Sequence, residues 1–140
     1  MEHDRISAAR AFIEALPHAR ALGLDVRAMG QGVCEMNMPW AAHLVGDPES
    51  GVIAGGAVSA LMDTCCGGAV MSHPSAPAST ATIDLRIDYM RGAVPGQIIV
   101  ARAECYHITR NVAFVRATAH DDDSDNPVAS ATGTFTVERG

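Results

Sequence analysis

The stretch Gly51-Val-Ile-Ala-Gly-Gly-Ala-Val-Ser-Ala-Leu-Met-Asp-Thr-Cys-Cys-Gly-Gly-Ala-Val-Met-Ser72 constrains the fold more than any other part of the chain. It is apolar or small almost throughout, it holds no Lys, Arg or Glu, and its only carboxylate is Asp63. From Gly55 to Ser72 the pattern is apolar nearly all round, which predicts a central helix buried by other elements. Gly67 and Gly68 lie inside it, each about 1 kcal/mol worse than Ala in a helix, so close packing must offset them. On the helical wheel Gly56, Ser59, Ala60, Asp63, Cys66 and Gly67 share one small-residue face, while Val58, Leu61, Met62 and Cys65 supply bulk elsewhere. That face admits a neighbouring backbone or a ligand. An ionised carboxylate on a buried helix loses its hydration and persists only where partners, water or a ligand compensate it, which makes Asp63 the candidate reactive group.

Around this helix the rest of the chain reads as cover and sheet. Asp4 is placed to cap a first helix whose apolar positions Ile6, Ala9, Phe12, Ile13 and Leu16 recur at helical spacing, with Pro17 as its stop and a turn to Leu22. This N-terminal helical segment, 1–22, covers the core. Leu24 to Met29 and Val33 to Met38 alternate about Gly30-Gln-Gly32, which predicts a hairpin with Cys34, Met36 and Met38 on one face. Pro39 to Ser50 is loop by composition, with Trp40 as a packing anchor, and His73 to Ala78 is a Pro-rich turn. Strands follow at Thr80–Tyr89, Gln97–Ile108, Val112–His120 and Val128–Glu138, and their short joints predict antiparallel neighbours. The order describes one α+β domain over 1–140, an antiparallel sheet wrapped around the central helix 55–72.

Composition excludes several classes of partner. Charged residues make up 19% of the chain and the net charge is −6, with no basic run, which argues against nucleic acid. No apolar run has the length of a membrane span, and Met1-Glu-His-Asp-Arg5 does not open a secretory leader, so a soluble, cytoplasmic protein is expected. The four cysteines, at 34, 65, 66 and 105, read as reduced core residues. Adjacent Cys65 and Cys66 diverge by about 100° on a helix and make a poor disulfide. The six histidines show no ligand spacing, and Asp121-Asp-Asp-Ser-Asp125 lacks the Gly and the terminal Glu of a calcium loop. A solvated hairpin turn is expected there, and no metal.

Gly55-Gly56, then Leu61-Met-Asp63-Thr64, then Ile83-Asp-Leu-Arg-Ile-Asp-Tyr-Met90 and Ala129-Ser-Ala-Thr-Gly-Thr-Phe135, in this order and spacing, resemble the PaaI-like branch of the hotdog-fold acyl-CoA thioesterases, a family related to the phenylacetate-pathway and 4-hydroxybenzoyl-CoA enzymes. The resemblance implies hydrolysis of an acyl-CoA thioester, with CoA as part of the substrate, no other cofactor, and sites shared between the subunits of a homodimer or homotetramer. It implies that Asp63 is the catalytic acid, acting as general base or as nucleophile. Backbone N–H groups of Gly55 and Gly56 at the helix start suit the charge that gathers on the carbonyl oxygen. Thr82 matches a hydroxyl that positions water, and Thr64 is a second hydroxyl candidate. Arg91, Arg110 and Asn111 match basic and polar positions near CoA, where a guanidinium suits phosphate. One departure is clear: many relatives carry His before the paired glycines, and this chain has Ala54. That leaves a second reading, a non-catalytic acyl-CoA binding or sensing protein.

Overall fold

A computed structural model describes residues 1–140. The chain opens with α1 (Glu2–Ala15), which starts at Met1 and carries Glu2 and Asp4 in its first turn. Asp4 therefore acts as a favourable charge on the helix dipole and not as the expected cap. Pro17, expected to open a turn, instead begins a second helix, α2 (Pro17–Leu22). Proline lacks only an N–H that a helix start leaves unpaired, and its fixed φ suits that position. Gly23, at φ 71°, closes α2 in the left-handed region.

β1 (Asp25–Gly30) and β2 (Val33–Met38) form the expected hairpin. Gln31 and Gly32 have φ of 53° and 78°, the two-residue turn whose twist matches the strands. Cys34, Met36 and Met38 face inward and are buried. The segment expected as loop holds a 3-10 turn at Ala42–Leu44 and β3 (Val45–Asp47), paired with β4 (Val52–Ile53). Trp40 anchors it, its indole N–H donating to the Gly51 carbonyl at 2.8 Å.

α3 (Gly55–Met71) follows the predicted span to its last residue but one. β5 (Thr82–Tyr89), β6 (Ile99–Ile108), β7 (Val112–His120) and β8 (Ala129–Thr136) complete a 6-stranded sheet ordered β1-β2-β6-β7-β8-β5, antiparallel at every pairing. The joint at 92–96 does not make β5 and β6 neighbours, contrary to the short-joint expectation; β5 runs along the edge of the sheet beside β8. Gly133 permits that pairing, since a Cβ there would stand 2.6 Å from the Asp84 carbonyl oxygen.

Five of the inward positions of β6 and β7 are alanines, Ala101, Ala103, Ala113, Ala117 and Ala119, small side chains that let α3 sit close to the sheet. Leu61, Met62, Cys65, Cys66, Ala69 and Val70 bury against them. Gly68 belongs to this contact: a Cβ on it would meet Cys34 Sγ at 2.8 Å. All four cysteines are free and buried. The opposite side of α3 is open. Gly55 and Gly56 are exposed, and Ser59, Ala60, Asp63, Thr64 and Gly67 are half-buried, which corrects the expectation of a helix enclosed all round. Small residues make that face look buried in the sequence, but the chain covers it only in part: α1 and the segment 76–80 stand across a cavity from Thr64 and Gly67, and β5 touches it through Thr82 and Tyr89. No helix is long and apolar enough to cross a membrane.

Candidate active site

Thr82 and Asp63 come together on the open side of α3. The Thr82 hydroxyl donates to Asp63 Oδ1 at 2.7 Å. Asp84, Arg86 and Asp88 on the same strand are exposed, so strict alternation would turn Thr82 away from the helix. A shift in the β5–β8 register between Thr82 and Asp84 breaks the alternation and re-aims it. Asp63 is half-buried, less enclosed than the sequence suggests, and its carboxylate is open to a water or a ligand. Thr64 is not part of this pair: its hydroxyl donates to the Ala60 carbonyl at 2.8 Å, within the helix.

The start of α3 forms a second polar cluster. Ala54 is the N-cap and supplies no side-chain bond, so the N–H groups of Gly55 and Gly56 are not taken up by their own helix. Ala54 itself is held in place, its N–H donating to the Leu44 carbonyl at 2.8 Å. A polar side chain that the sequence did not single out for this cluster is Tyr89, whose hydroxyl donates to the Gly55 carbonyl at 2.9 Å. Its signal was its place at the end of the Ile83–Met90 motif. His43 lies in the preceding segment but turns away, with Nε2 2.8 Å from the Ala21 carbonyl oxygen.

The three residues expected near CoA do not gather. Arg91 grips Asp121, its Nη1 and Nη2 donating to the two carboxylate oxygens at 2.6 and 2.7 Å. The backbone N–H groups of Val94 and Asp123 donate to the same carboxylate, each at 3.0 Å. Asp121 is 2% exposed, so the acidic turn, expected to be solvated, is anchored through its first residue. Arg91 holds the Asp121 carboxyl far below the usual carboxylate range, and Asp121 in turn raises the Arg91 guanidinium. Arg110 and Asn111 are exposed in the turn between β6 and β7, at the other end of a strand of 10 residues. That separation is roughly 30 Å at the rise of a β-strand. Thr82 and Phe135, paired across β5 and β8, lie at the Arg110 end, and Tyr89 and Ala129 at the Arg91 end.

The thiols behind Asp63 are unsuited to nucleophilic work. Burial, with the Asp63 charge, pushes Cys66 up to about 12, and the contact with Cys34 and burial raise Cys65 as well. No three His, Cys, Asp or Glu side chains gather in a group that could hold a metal ion.

The chain belongs to the thioesterase superfamily, whose family model matches residues 50–128. Its fold is the hotdog and its reaction class is thioester hydrolysis. It is similar to the medium/long-chain acyl-CoA thioesterase YigI of Salmonella typhimurium, 26% identical over 139 residues that span 90% of this chain and 88% of that one. A crystal structure of a Pseudomonas aeruginosa protein is 40% identical with a TM-score of 0.83, covering 94% of this chain and 97% of that one. Escherichia coli PaaI, from the phenylacetic acid degradation operon, is 22% identical and shares the fold with a TM-score of 0.87, over 99% of this chain and 96% of that one.

Proposed function

We propose that the protein hydrolyses an acyl-CoA thioester to the free acid and CoA, with Asp63 at the centre of the reaction. The observation that carries this reading is the Asp63 carboxylate, bonded by Thr82 and open on one side, on the central helix of a thioesterase-superfamily chain. Water adds to the thioester carbon, the C–S bond breaks, and the proton lost by water ends on the CoA sulfur. Asp63 either takes that proton from water or attacks the carbon itself and is released by water in a second step. The N–H groups of Gly55 and Gly56 receive the charge on the carbonyl oxygen.

Geometry favours a site shared by two copies. Gly55 and Gly56 precede Asp63 by two helical turns, about 10 to 12 Å at 1.5 Å per residue, whereas reacting groups must stand within about 3.5 Å. One chain cannot offer both to one thioester. β5 is an edge strand with Ile83, Tyr89 and Met90 all more than half exposed, 56%, 52% and 56%. Antiparallel pairing of two such edges brings the Tyr89 end of one copy beside the Thr82 end of the other, and with it the amides to the acid. A homodimer is therefore the unit proposed, and a homotetramer is open to it. The same exchange brings the exposed Arg110–Asn111 turn toward the partner's Arg91 end, where Arg110 meets CoA phosphate while Arg91 braces the loop through Asp121. Four buried, free thiols fit a reducing, cytoplasmic setting.

The test is CoA release from short, medium and aryl acyl-CoAs by purified protein and by Asp63→Asn. Turnover that falls by about 10²- to 10⁴-fold in the variant supports the reading. Wild-type protein without turnover, or an unaffected variant, removes it. Ala54 at the helix start, with His43 turned toward Ala21, is what favours the second reading, a non-catalytic binder. Calorimetry that shows tight binding of acyl-CoA recovered intact selects that one.

A further inference from the structure

One turn past Asp63, α3 borders a cavity of about 700 Å³ that the reaction as described does not use. Thr64, Gly67 and Met71 form its floor, α1 its roof through Ala9 and Phe12, and the segment 76–80 its third wall. α1 runs back along α3. Ile13 Cδ1 lies 3.5 Å from where a Gly68 Cβ would be, and Arg5 donates to the Met71 carbonyl and, at 3.1 Å, to the His73 carbonyl. The cavity is therefore closed at the Arg5–Met71 end and approaches the reacting acid at the other. Two of its three hydroxyls are already engaged, Thr64 donating to Ala60 and Thr80 to Thr136, both backbone carbonyls, and the third, on Ser79 in the 76–80 wall, is exposed. Phe12, 68% exposed, is a large apolar side chain at its rim with no cover of its own.

We infer that this cavity is the acyl-chain pocket, that it takes a straight, saturated chain of about eight to ten carbons, and that Gly67 sets its bore. The inference rests on the proposed hydrolysis for its orientation, with the thioester carbon at Asp63. From Asp63 to Met71 the helix rises about 12 Å. A carbon chain with bonds of about 1.5 Å at ordinary angles advances roughly 1.25 Å per carbon, so some nine or ten carbons reach the closed end. A mostly apolar wall whose threonine hydroxyls and Arg5 guanidinium are already engaged gives a polar or hydroxylated acyl group few hydrogen bonds to replace those it loses in water. Gly67 is the narrowest choice of residue at the place where a chain leaving Asp63 must cross α3. No atom lies within 4 Å of the position its Cβ would take, so the missing side chain is open space and not a packing contact.

The test is a chain-length series, acetyl- to hexadecanoyl-CoA with benzoyl-CoA beside it, read two ways: kcat/KM by CoA release, and binding of butyryl- and decanoyl-CoA by calorimetry to Asp63→Asn protein. Wild-type values should climb by two- to fourfold per methylene and level off at about eight to ten carbons, as buried methylenes do. Gly67→Leu should lower the decanoyl value by more than 30-fold, lower the butyryl value at least tenfold less than that, and keep its fold, because the change raises helix propensity into empty space. Ala9→Leu, which narrows the cavity from α1, should shorten the preference in the same way. A flat profile, a preference for benzoyl-CoA over octanoyl-CoA, or an equal loss at all lengths in Gly67→Leu overturns the inference and leaves hydrolysis standing. Chain-length-dependent binding that Gly67→Leu abolishes, in a protein with no turnover, supports the pocket and removes the hydrolysis.

Discussion

Two adjacent glycines in the middle of α3 should respond to the same substitution with opposite signs. Gly67 and Gly68 have the same intrinsic penalty, and replacing either with Ala should gain about 1 kcal/mol from helix propensity and lost unfolded-state freedom. At Gly67 nothing lies within 4 Å of the new methyl, so Gly67→Ala should stabilise by about that full amount. At Gly68 the methyl would stand 2.8 Å from Cys34 Sγ, 3.4 Å from Cys34 Cβ and 3.5 Å from Ile13 Cδ1. Cys34 is fully buried in the core beside Cys65, whose Sγ donates to its carbonyl, so its sulfur can give way only by displacing packed neighbours. Overpacking of this kind costs about 1 to 3 kcal/mol, which exceeds the propensity gain and makes Gly68→Ala neutral to destabilising by about 2 kcal/mol. Urea denaturation at one protein concentration reads both, a difference of 1 kcal/mol moving the midpoint by roughly 0.5 M at an unchanged slope. Removing the clash partner isolates the cause: in a Cys34→Ala background, Gly68→Ala should become stabilising, with a coupling of about 1 to 3 kcal/mol. If Gly68→Ala stabilises as much as Gly67→Ala and shows no coupling to Cys34, the close-packing account of this helix is wrong.

Other substitutions probe the site and its supports. Asp121→Asn strips the partner from Arg91, whose side chain is 28% exposed, and should cost roughly 2 to 3 kcal/mol, less than for a fully enclosed pair. Because the folded carboxyl lies below its unfolded value, that stability is present above the ordinary carboxylate range and is lost as pH falls. The wild-type advantage in urea midpoint should thus be constant from pH 5 to 8 and shrink below about pH 4. Thr82→Val removes the 2.7 Å bond to Asp63 and should lower kcat about tenfold with little change in KM, and Thr82→Ser should restore it. Tyr89→Phe should lower kcat about threefold while leaving the unfolding free energy in urea within about 0.5 kcal/mol. An aromatic disulfide reagent at pH 8 should find no fast-reacting thiol in the native protein and four in urea, since all are buried and Cys66 is pushed up to about 12.

Much of this architecture is legible because local chemistry decides it. Alternation and the Gln31-Gly32 turn fix the first hairpin without reference to anything distant, and the apolar run fixes α3. Strand order is different, since nothing local tells β5 to cross to the far edge beside β8. The signal was there in Gly133, whose missing Cβ admits the Asp84 backbone, but a lone glycine in a strand does not name its neighbour. Nor does composition reveal which face of an apolar helix is left uncovered. Asp121 was hidden for a related reason. In a run of acids each looks solvated, and only the fold singles out the one that meets Arg91, two backbone N–H groups and a buried end of β7. The Asp63–Thr82 pair was reachable through the family resemblance alone, because Thr82 reaches the helix only after a break in alternation.

Tyr89 bears on the departure that the sequence made visible, the absence of His before the paired glycines. The carbonyl to which its hydroxyl donates and the N–H of Gly56 belong to one peptide group, the unit that joins Gly55 to Gly56. Hydrogen bonding to one end of a peptide draws charge along it and strengthens the other end as a donor, by about 10–30% per bond. In the proposed reaction the Gly56 N–H is one of the donors that meets the developing oxyanion, so a phenol on the far side of that peptide acts on the transition state without touching the substrate. A histidine before the glycines would supply a contact of its own; this chain instead sharpens a contact it already has.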